Sequence, residues 1–147
     1  MIAFAIRGMI VLDTNVLSET LRDKPAGPVR RWMQTQAPTS LFTATICEAE
    51  IFYGPTLMPV SRRRATLERV VVAMFREDFL DRILPFDSAA ARAFAEIAAA
   101  RHRLGHPINE CDAQIAAIAH SRGAAVATRN VQDFVDCGIE VISPWEE

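Results

Sequence analysis

Asp13, Glu50, Asp112 and the pair Asn130/Asp133 are spread from one end of this 147-residue chain to the other, yet they occupy one kind of position. Each stands where an apolar run gives way to a turn or where a helical pattern begins. In an open α/β sheet such places gather at the carboxyl ends of the strands, so residues distant in sequence converge in one crevice. Carboxylates collected there without Cys or His partners suit a hard cation such as Mg²⁺ or Mn²⁺. That combination is suited to gripping a phosphodiester and activating water against it.

Each of these residues also has a purely structural reading. Asp13 follows an apolar run and precedes Thr14 and Asn15, which is equally the place of an N-cap. Spacing removes two rival chemistries. Haloacid-dehalogenase-type phosphatases need a second Asp two positions after the first, where this chain has Asn15, and response-regulator receivers need a late Lys, whereas Lys24 is the sole lysine. Asp112, and Glu110 before it, fall in the first turn of an amphipathic helix, where the dipole favours an acid in any protein. Asp133 can equally be a helix-start acid.

Glu48 and Glu50 lie two apart on one expected helix, about 200° around its axis, so they cannot both point squarely at one site. Thr45-Ile46-Cys47-Glu48 matches the S/T-x-x-E capping box, which gives Glu48 a structural task. Glu50 is then the better ligand. His102, His106 and His120 lie on expected helix or loop surfaces without matching spacing and are read as incidental.

The elements that must position these residues alternate. Residues 9–12 form a continuous apolar run, read as a buried strand delivering Asp13 to its tip. Helices are expected over 16–21 and 29–36, separated by a break at Pro25, Gly27 and Pro28. A strand follows at 41–43, then a helix from Thr45 that Gly54 and Pro55 stop. Ser61 caps a helix reaching Phe79, with Arg62, Arg63 and Arg64 in its first turn, and residues 83–86 form a brief strand. Asp87 caps an alanine-rich helix that Gly105 ends. Asn109 caps a further one, with Ile115, Ala116 and Ala119 on one face, which Gly123 closes. Strands at 124–127 and 139–142 flank a helical turn containing Phe134. Strands alternating with helices call for a parallel sheet covered on both faces, an α/β fold.

Composition sets bounds. A 16.3 kDa chain that is 50% hydrophobic supports one ordinary core, so a single domain is expected over residues 9–147, with residues 1–8 as an extension ahead of Met9. The net charge of -2 argues against a generally basic nucleic-acid binder. Setting aside Asp13, Glu48, Glu50, Glu110, Asp112 and Asp133 leaves 12 acidic against 16 basic residues, a remainder of +4 that is compatible with an acidic pocket inside a mildly basic surface. Cys47, Cys111 and Cys137 make no C-x-x-C pair, which fits a reducing cytoplasm. The apolar start has Arg7 in its middle and is too short to span a bilayer.

The segments Leu12-Asp13-Thr14-Asn15, Ala49-Glu50-Ile51-Phe52-Tyr53-Gly54, Asp112 with Ile115-Ala116-Ala117, Thr128-Arg129-Asn130 and Pro144-Trp145 follow one another in order. Together they resemble the PIN-domain family, specifically its VapC-like ribonuclease toxins of bacterial type II toxin–antitoxin pairs. The resemblance covers residues 9–145 and implies a three-layer α/β/α sandwich with a central parallel sheet. In that family the first Asp, the Glu and the third-motif Asp hold divalent metal, which carries over to Asp13, Glu50 and Asp112, with Mg²⁺ or Mn²⁺ as the ion. The fourth acidic position is often Asp and here is Asn130, which can orient a water or supply a neutral oxygen. Asp133 restores the charge if its turn faces inward.

The resemblance further implies an RNA substrate, a small VapB-like antitoxin, a homodimer, and a place in the cytoplasm away from membranes. Arg129 and the Arg62–Arg64 triplet are candidate phosphate contacts. The triplet is otherwise a solvated helix start, although cations there oppose the dipole. Ile51, Phe52, Tyr53, Leu57 and Met58 offer either core or a partner surface. Asn130 in place of an acid leaves one alternative, a catalytically degenerate PIN-like module that binds RNA or a protein.

Overall fold

The computed structural model describes residues 8–146; of the expected N-terminal extension all but Gly8 lies outside them. Strand β1 (Ile10–Leu12) leads into helix α1 (Thr14–Thr20) and α2 (Gly27–Thr35), and strand β2 (Leu41–Ala44) into α3 (Thr45–Leu57) and α4 (Arg62–Ala73). Strand β3 (Ile83–Leu84) precedes α5 (Ser88–Arg103) and α6 (Glu110–Ser121), and β4 (Ala125–Ala127) and β5 (Val141–Ile142) complete the sheet.

All pairings are parallel and the strand order is β3-β2-β1-β4-β5. The chain builds outward from β1 to β3 on one side, then returns to lay β4 and β5 on the other. The order therefore reverses between β1 and β4, where an open parallel sheet leaves a crevice beyond its strand tips. Register sets Leu12 opposite Ala127, so Asp13 and Thr128 leave the sheet side by side. Helices flank the sheet in the expected three-layer sandwich. This is why β1 and β4 are buried throughout and read as uninterrupted apolar runs.

Helix α6 departs from the expected single face. Ala113, Ile115, Ala116, Ala117, Ile118 and Ala119 are all buried, because its small side chains let it pack closely on α5 as well as on the sheet. The expected caps form: Ser61 Oγ accepts from Arg64 N, Asp87 Oδ1 from Ala90 N and Asn109 Oδ1 from Asp112 N, at 3.2, 3.0 and 2.8 Å. Gly105 and Gly123 sit at φ +83° and +65° directly after α5 and α6, left-handed values that favour glycine.

Three expectations are corrected. Helix α3 is not stopped by Gly54 and Pro55 but runs on to Leu57. Pro55 forfeits the hydrogen bond to the Ile51 carbonyl and crowds that oxygen, but its φ is itself helical, little helix follows it, and its ring is buried. The helix from Ser61 does not reach Phe79 as one α-helix: it ends at Ala73 and continues as a π turn, Met74–Asp78, that buries Met74 and Phe75. The strand at 83–86 stops at Leu84, since Pro85 has no N–H for the ladder. The remaining boundaries shift by one or two residues.

Phe134, 1% exposed within the 3₁₀ turn Val131–Phe134, anchors the segment after β4 to the core. Phe134→Ala is expected to cost about 3–5 kcal/mol in urea unfolding. A loss below about 1 kcal/mol would show that the turn is not held by this ring.

Candidate metal centre

Asp13 stands at the tip of β1 and at the N-cap of α1, so the two readings of the sequence coexist in one residue. It is 6% exposed. Oδ1 accepts from Thr14 N at 2.8 Å, and Oδ2 accepts from the Thr128 hydroxyl at 2.8 Å and from Asn15 Nδ2 at 3.3 Å. Burial raises its pKa, Thr128 and the Thr14 N–H pull it back, and the charges of Glu50 and Asp133 push it further up.

Asn15 joins the two strand tips. Its Nδ2 also donates to Thr128 Oγ1 at 3.3 Å, and its Oδ1 accepts from the Arg129 N–H at 3.0 Å. Thr128 in turn accepts from Asn130 N at 3.1 Å. The far side is supplied by α3, where Glu50 Oε1 accepts from the Thr14 hydroxyl at 2.5 Å. The capping box expected at Thr45 does not form: the N-cap of α3 is Ala44, with no side-chain cap, and Thr45 is already the first helical residue. Glu50 nevertheless faces the site and Glu48 does not, as expected.

Asp112 arrives from α6. Asn109 caps that helix by taking the Asp112 N–H, so the Asp112 carboxylate is left for the site. Its pKa is pushed up to about 6, first by burial and then by Asp13, Asp133 and Glu50, with Arg101 opposing.

A cavity of about 550 Å³ is lined by Asp13, Thr14, Asn15, Glu50, Asp112, Arg129 and Asn130, with Ser18, Glu19 and Arg22 on its α1 side. All four expected site residues, Asp13, Glu50, Asp112 and Asn130, thus line one cavity, while Asp112 stands outside the closest group of ligand atoms, which holds Asp13 and Glu50. Asp133 is exposed and does not line the cavity; it reaches Asp13 and Asp112 through its charge alone. The three histidines, Glu110 and the Arg62–Arg64 triplet also lie outside it. Arg64 pairs with Glu68 at 3.5 Å and donates to the Met58 carbonyl at 3.0 Å, both within the α3–α4 corner.

One expectation about the donor set is overturned. Cys47 is fully buried beside the carboxylates, and single ligand atoms of Asp13, Cys47 and Glu50 lie within 4.8 Å of one another. Burial pushes its thiol pKa to about 12, so at neutral pH it is a protonated, neutral wall and the charged donors remain oxygen. Oxygen donors whose ionisation is opposed by one another fit a hard divalent cation, which relieves that opposition.

Arg22 on the cavity wall, and Thr128 and Cys47 buried behind it, were not singled out from the sequence as parts of this site. Thr128 had a signal, its place in the Thr128-Arg129-Asn130 run after an apolar strand. Arg22 had none, since it is aimed by Glu19, buried at 5% exposure, which pairs with it at 3.5 Å and also accepts from Ala26 N. Arg129 lies over the Trp145 ring with its guanidinium 5.1 Å from the centroid.

Residues 10–136 match the model of the PIN domain. The chain belongs to the PIN-domain family. Within this family it is similar to the plasmid stability protein StbB of Pseudomonas syringae pv. tomato, 41% identical over 94% of this chain and 99% of the relative. It is also similar to the VapC ribonuclease Y4jK of Sinorhizobium fredii, 36% identical over the same shares, and to the toxin FitB of Neisseria gonorrhoeae, 32% identical over 95% and 100%. Among solved structures it superposes on FitAcB from Neisseria gonorrhoeae with a TM-score of 0.89 at 32% identity, covering 95% of this chain and 100% of that one. The chain therefore stands on the VapC-like branch of the PIN-domain family, and the five-stranded parallel sheet is the family's fold.

The raised pKa of Asp112 has a consequence for the metal-free protein. An acid whose folded pKa lies above its unfolded value of 3.8 favours folding when protonated, and loses that contribution as pH rises through about 6. Asp112→Asn, which mimics the neutral form, should therefore be more stable than wild type at pH 7 in chelator. The gap should close as pH falls to about 4. Thermal unfolding across that range checks it, and a gap independent of pH would contradict the raised value.

Proposed function

We propose that this protein is a divalent-metal-dependent endoribonuclease acting as the toxin of a toxin–antitoxin pair. The observation that carries the reading is the convergence of Asp13, Glu50 and Asp112, from three separate elements, on one cavity at the reversal of strand order. Membership of the PIN-domain family and the likeness to a VapC ribonuclease support a nuclease that hydrolyses RNA.

Asp13, Glu50 and Asp112 would hold Mg²⁺ or Mn²⁺. When bound, such an ion supplies Lewis acidity toward a phosphoryl oxygen and acidifies water. The chain's own groups prepare the place. The Thr128 hydroxyl and the Thr14 N–H orient Asp13 and favour its charged form, and the Thr14 hydroxyl fixes Glu50. Asn130 offers a neutral amide at the cavity wall to orient a water or a phosphate oxygen. Arg22 and Arg129, on the same wall, engage the flanking phosphates of the RNA strand.

The antitoxin is a small protein that covers the cavity. On α3 the residues read from the sequence divide: Ile51 is buried and Phe52 stacks on Phe75 with centroids 5.6 Å apart, so both belong to the core. Tyr53 and Leu57 are 64% and 67% exposed, with Val60 at 92%, and this apolar face is where we place a protein contact, with the antitoxin or with a second copy in a homodimer. No described helix is long and apolar enough to cross a membrane. We assign the protein to the cytoplasm, and residues 9–147 to a single PIN-like domain preceded by an extension at 1–8.

Asp13→Asn should lower cleavage of a mixed RNA pool in Mn²⁺ by at least about 100-fold while the fold survives, with its melting point unchanged or raised by the relief of about 1 kcal/mol of repulsion. Wild-type cleavage by the mutant, or by metal-stripped protein, would sink the metal-dependent mechanism assigned to Asp13. Failure of the wild type to bind Mn²⁺ in calorimetry would favour the degenerate binding module instead.

Asn130→Ala should slow cleavage yet leave Mn²⁺ affinity within about twofold, because a neutral amide adds little beside three carboxylates. Asp133→Asn, at an exposed side chain, should leave metal affinity within about twofold as well. A large affinity loss in the second mutant would place Asp133 among the ligands.

A further inference from the structure

Arg101, near the end of α5, is 5% exposed, the only basic side chain among the described residues to be so deeply buried. A guanidinium removed from water needs a countercharge or a replacement set of acceptors. No described carboxylate stands within ion-pairing distance of it. Its hydrogen-bond partners are all neutral: Nε donates to the His106 carbonyl at 2.8 Å, and Nη1 to the carbonyls of Asp133 and Val135 at 3.0 and 3.1 Å and, more weakly, to Cys137 Sγ at 3.7 Å.

Three acceptors from the five residues 133–137 thus meet at one nitrogen, and the backbone is bent to bring them there. Asp136 sits at φ +58°, a left-handed value unfavourable for a residue with a Cβ, and its carboxylate pairs with His106 Nε2 at 3.3 Å. The clamp leads to the metal centre through an unbroken series of hydrogen bonds. Asp133 N–H donates to the Asn130 carbonyl at 3.0 Å, Asn130 N–H to Thr128 Oγ1 at 3.1 Å, and the Thr128 hydroxyl to Asp13 Oδ2 at 2.8 Å. The guanidinium charge also acts on Asp112, favouring its ionised form.

We propose that Arg101 is a positioning residue of the nuclease site: its planar fork fixes the turn Val131–Phe134 and, through Asn130 and Thr128, sets the orientation of the Asp13 carboxylate. The inference rests on the metal-dependent nuclease reading above. It places control of the site's fourth corner at the buried end of α5, on a side chain that does not line the cavity.

Arg101→Lys keeps the charge and removes the fork. At saturating Mn²⁺ and below its own melting point, the variant should lose at least about tenfold in kcat with KM within about twofold. Combined with Thr128→Val, which removes the hydroxyl linking the Asn130 N–H to Asp13 Oδ2, it should be no more than about twofold slower than the slower single mutant, because both changes break one series. The amides of Asn130 and Asp133 should exchange with deuterium at least about tenfold faster, while those inside α6 are unchanged. Losses that multiply, a wild-type kcat, or unaltered exchange would overturn the proposal. Arg101→Gln serves as a second variant, and failure of both to fold would assign Arg101 to the core and overturn it likewise. A wild-type protein that does not cleave RNA would sink the nuclease reading alone, leaving the exchange measurement to decide the clamp.

Discussion

Like charges crowded around the tip of β1, one from the strand and two from helices α3 and α6, are the constraint around which this protein is arranged. Two carboxylates a few ångströms apart repel by about 1 kcal/mol in water and severalfold more in a partly buried cleft. The chain meets that repulsion with neutral donors rather than with fixed cations. Asp13 is held by two hydroxyl- and amide-bearing side chains and a backbone N–H, and Glu50 by the Thr14 hydroxyl. Of the two arginines at the cavity, Arg22 pairs with Glu19 and Arg129 lies over Trp145, and neither forms an ion pair with Asp13, Glu50 or Asp112. Negative charge is thereby oriented without being cancelled, and a divalent cation has a reason to enter.

Topology supplies the place. Because the strand order reverses between β1 and β4, a crevice opens beyond their tips, and register puts Asp13 beside Thr128. Helix α6 then brings Asp112 across the crevice in its first turn, with Asn109 taking over the capping that Asp112 could otherwise perform.

The Cys47 thiol, among the carboxylates, stays protonated because burial and the neighbouring negative charge both oppose a thiolate, so the charged groups beside it are carboxylates. Further out, α3 continues through Pro55 and presents Tyr53 and Leu57 to solvent, so the helix that delivers Glu50 also carries the exposed apolar face.

Sequence alone determined the features encoded within a few residues: the apolar strand ending in Asp13, the caps at Ser61, Asp87 and Asn109, and the glycines that end α5 and α6. That Glu48 and Glu50 cannot both face one point was also legible there from helical periodicity, but the capping box invoked to choose between them does not form, and the fold decides which one lines the cavity. Only the tertiary structure decided the rest. That Thr128 holds Asp13, that Cys47 lies beside it, that Asp133 turns outward and that Arg101 grips the segment behind Asn130 all depend on contacts between residues far apart in the chain. Helix α3 ran past Pro55 because burial outweighed a local stop signal. The physical reason is common to these cases. Propensity and capping act within one turn of backbone, whereas burial and cross-strand hydrogen bonds exist only once the sheet has brought its strand tips together.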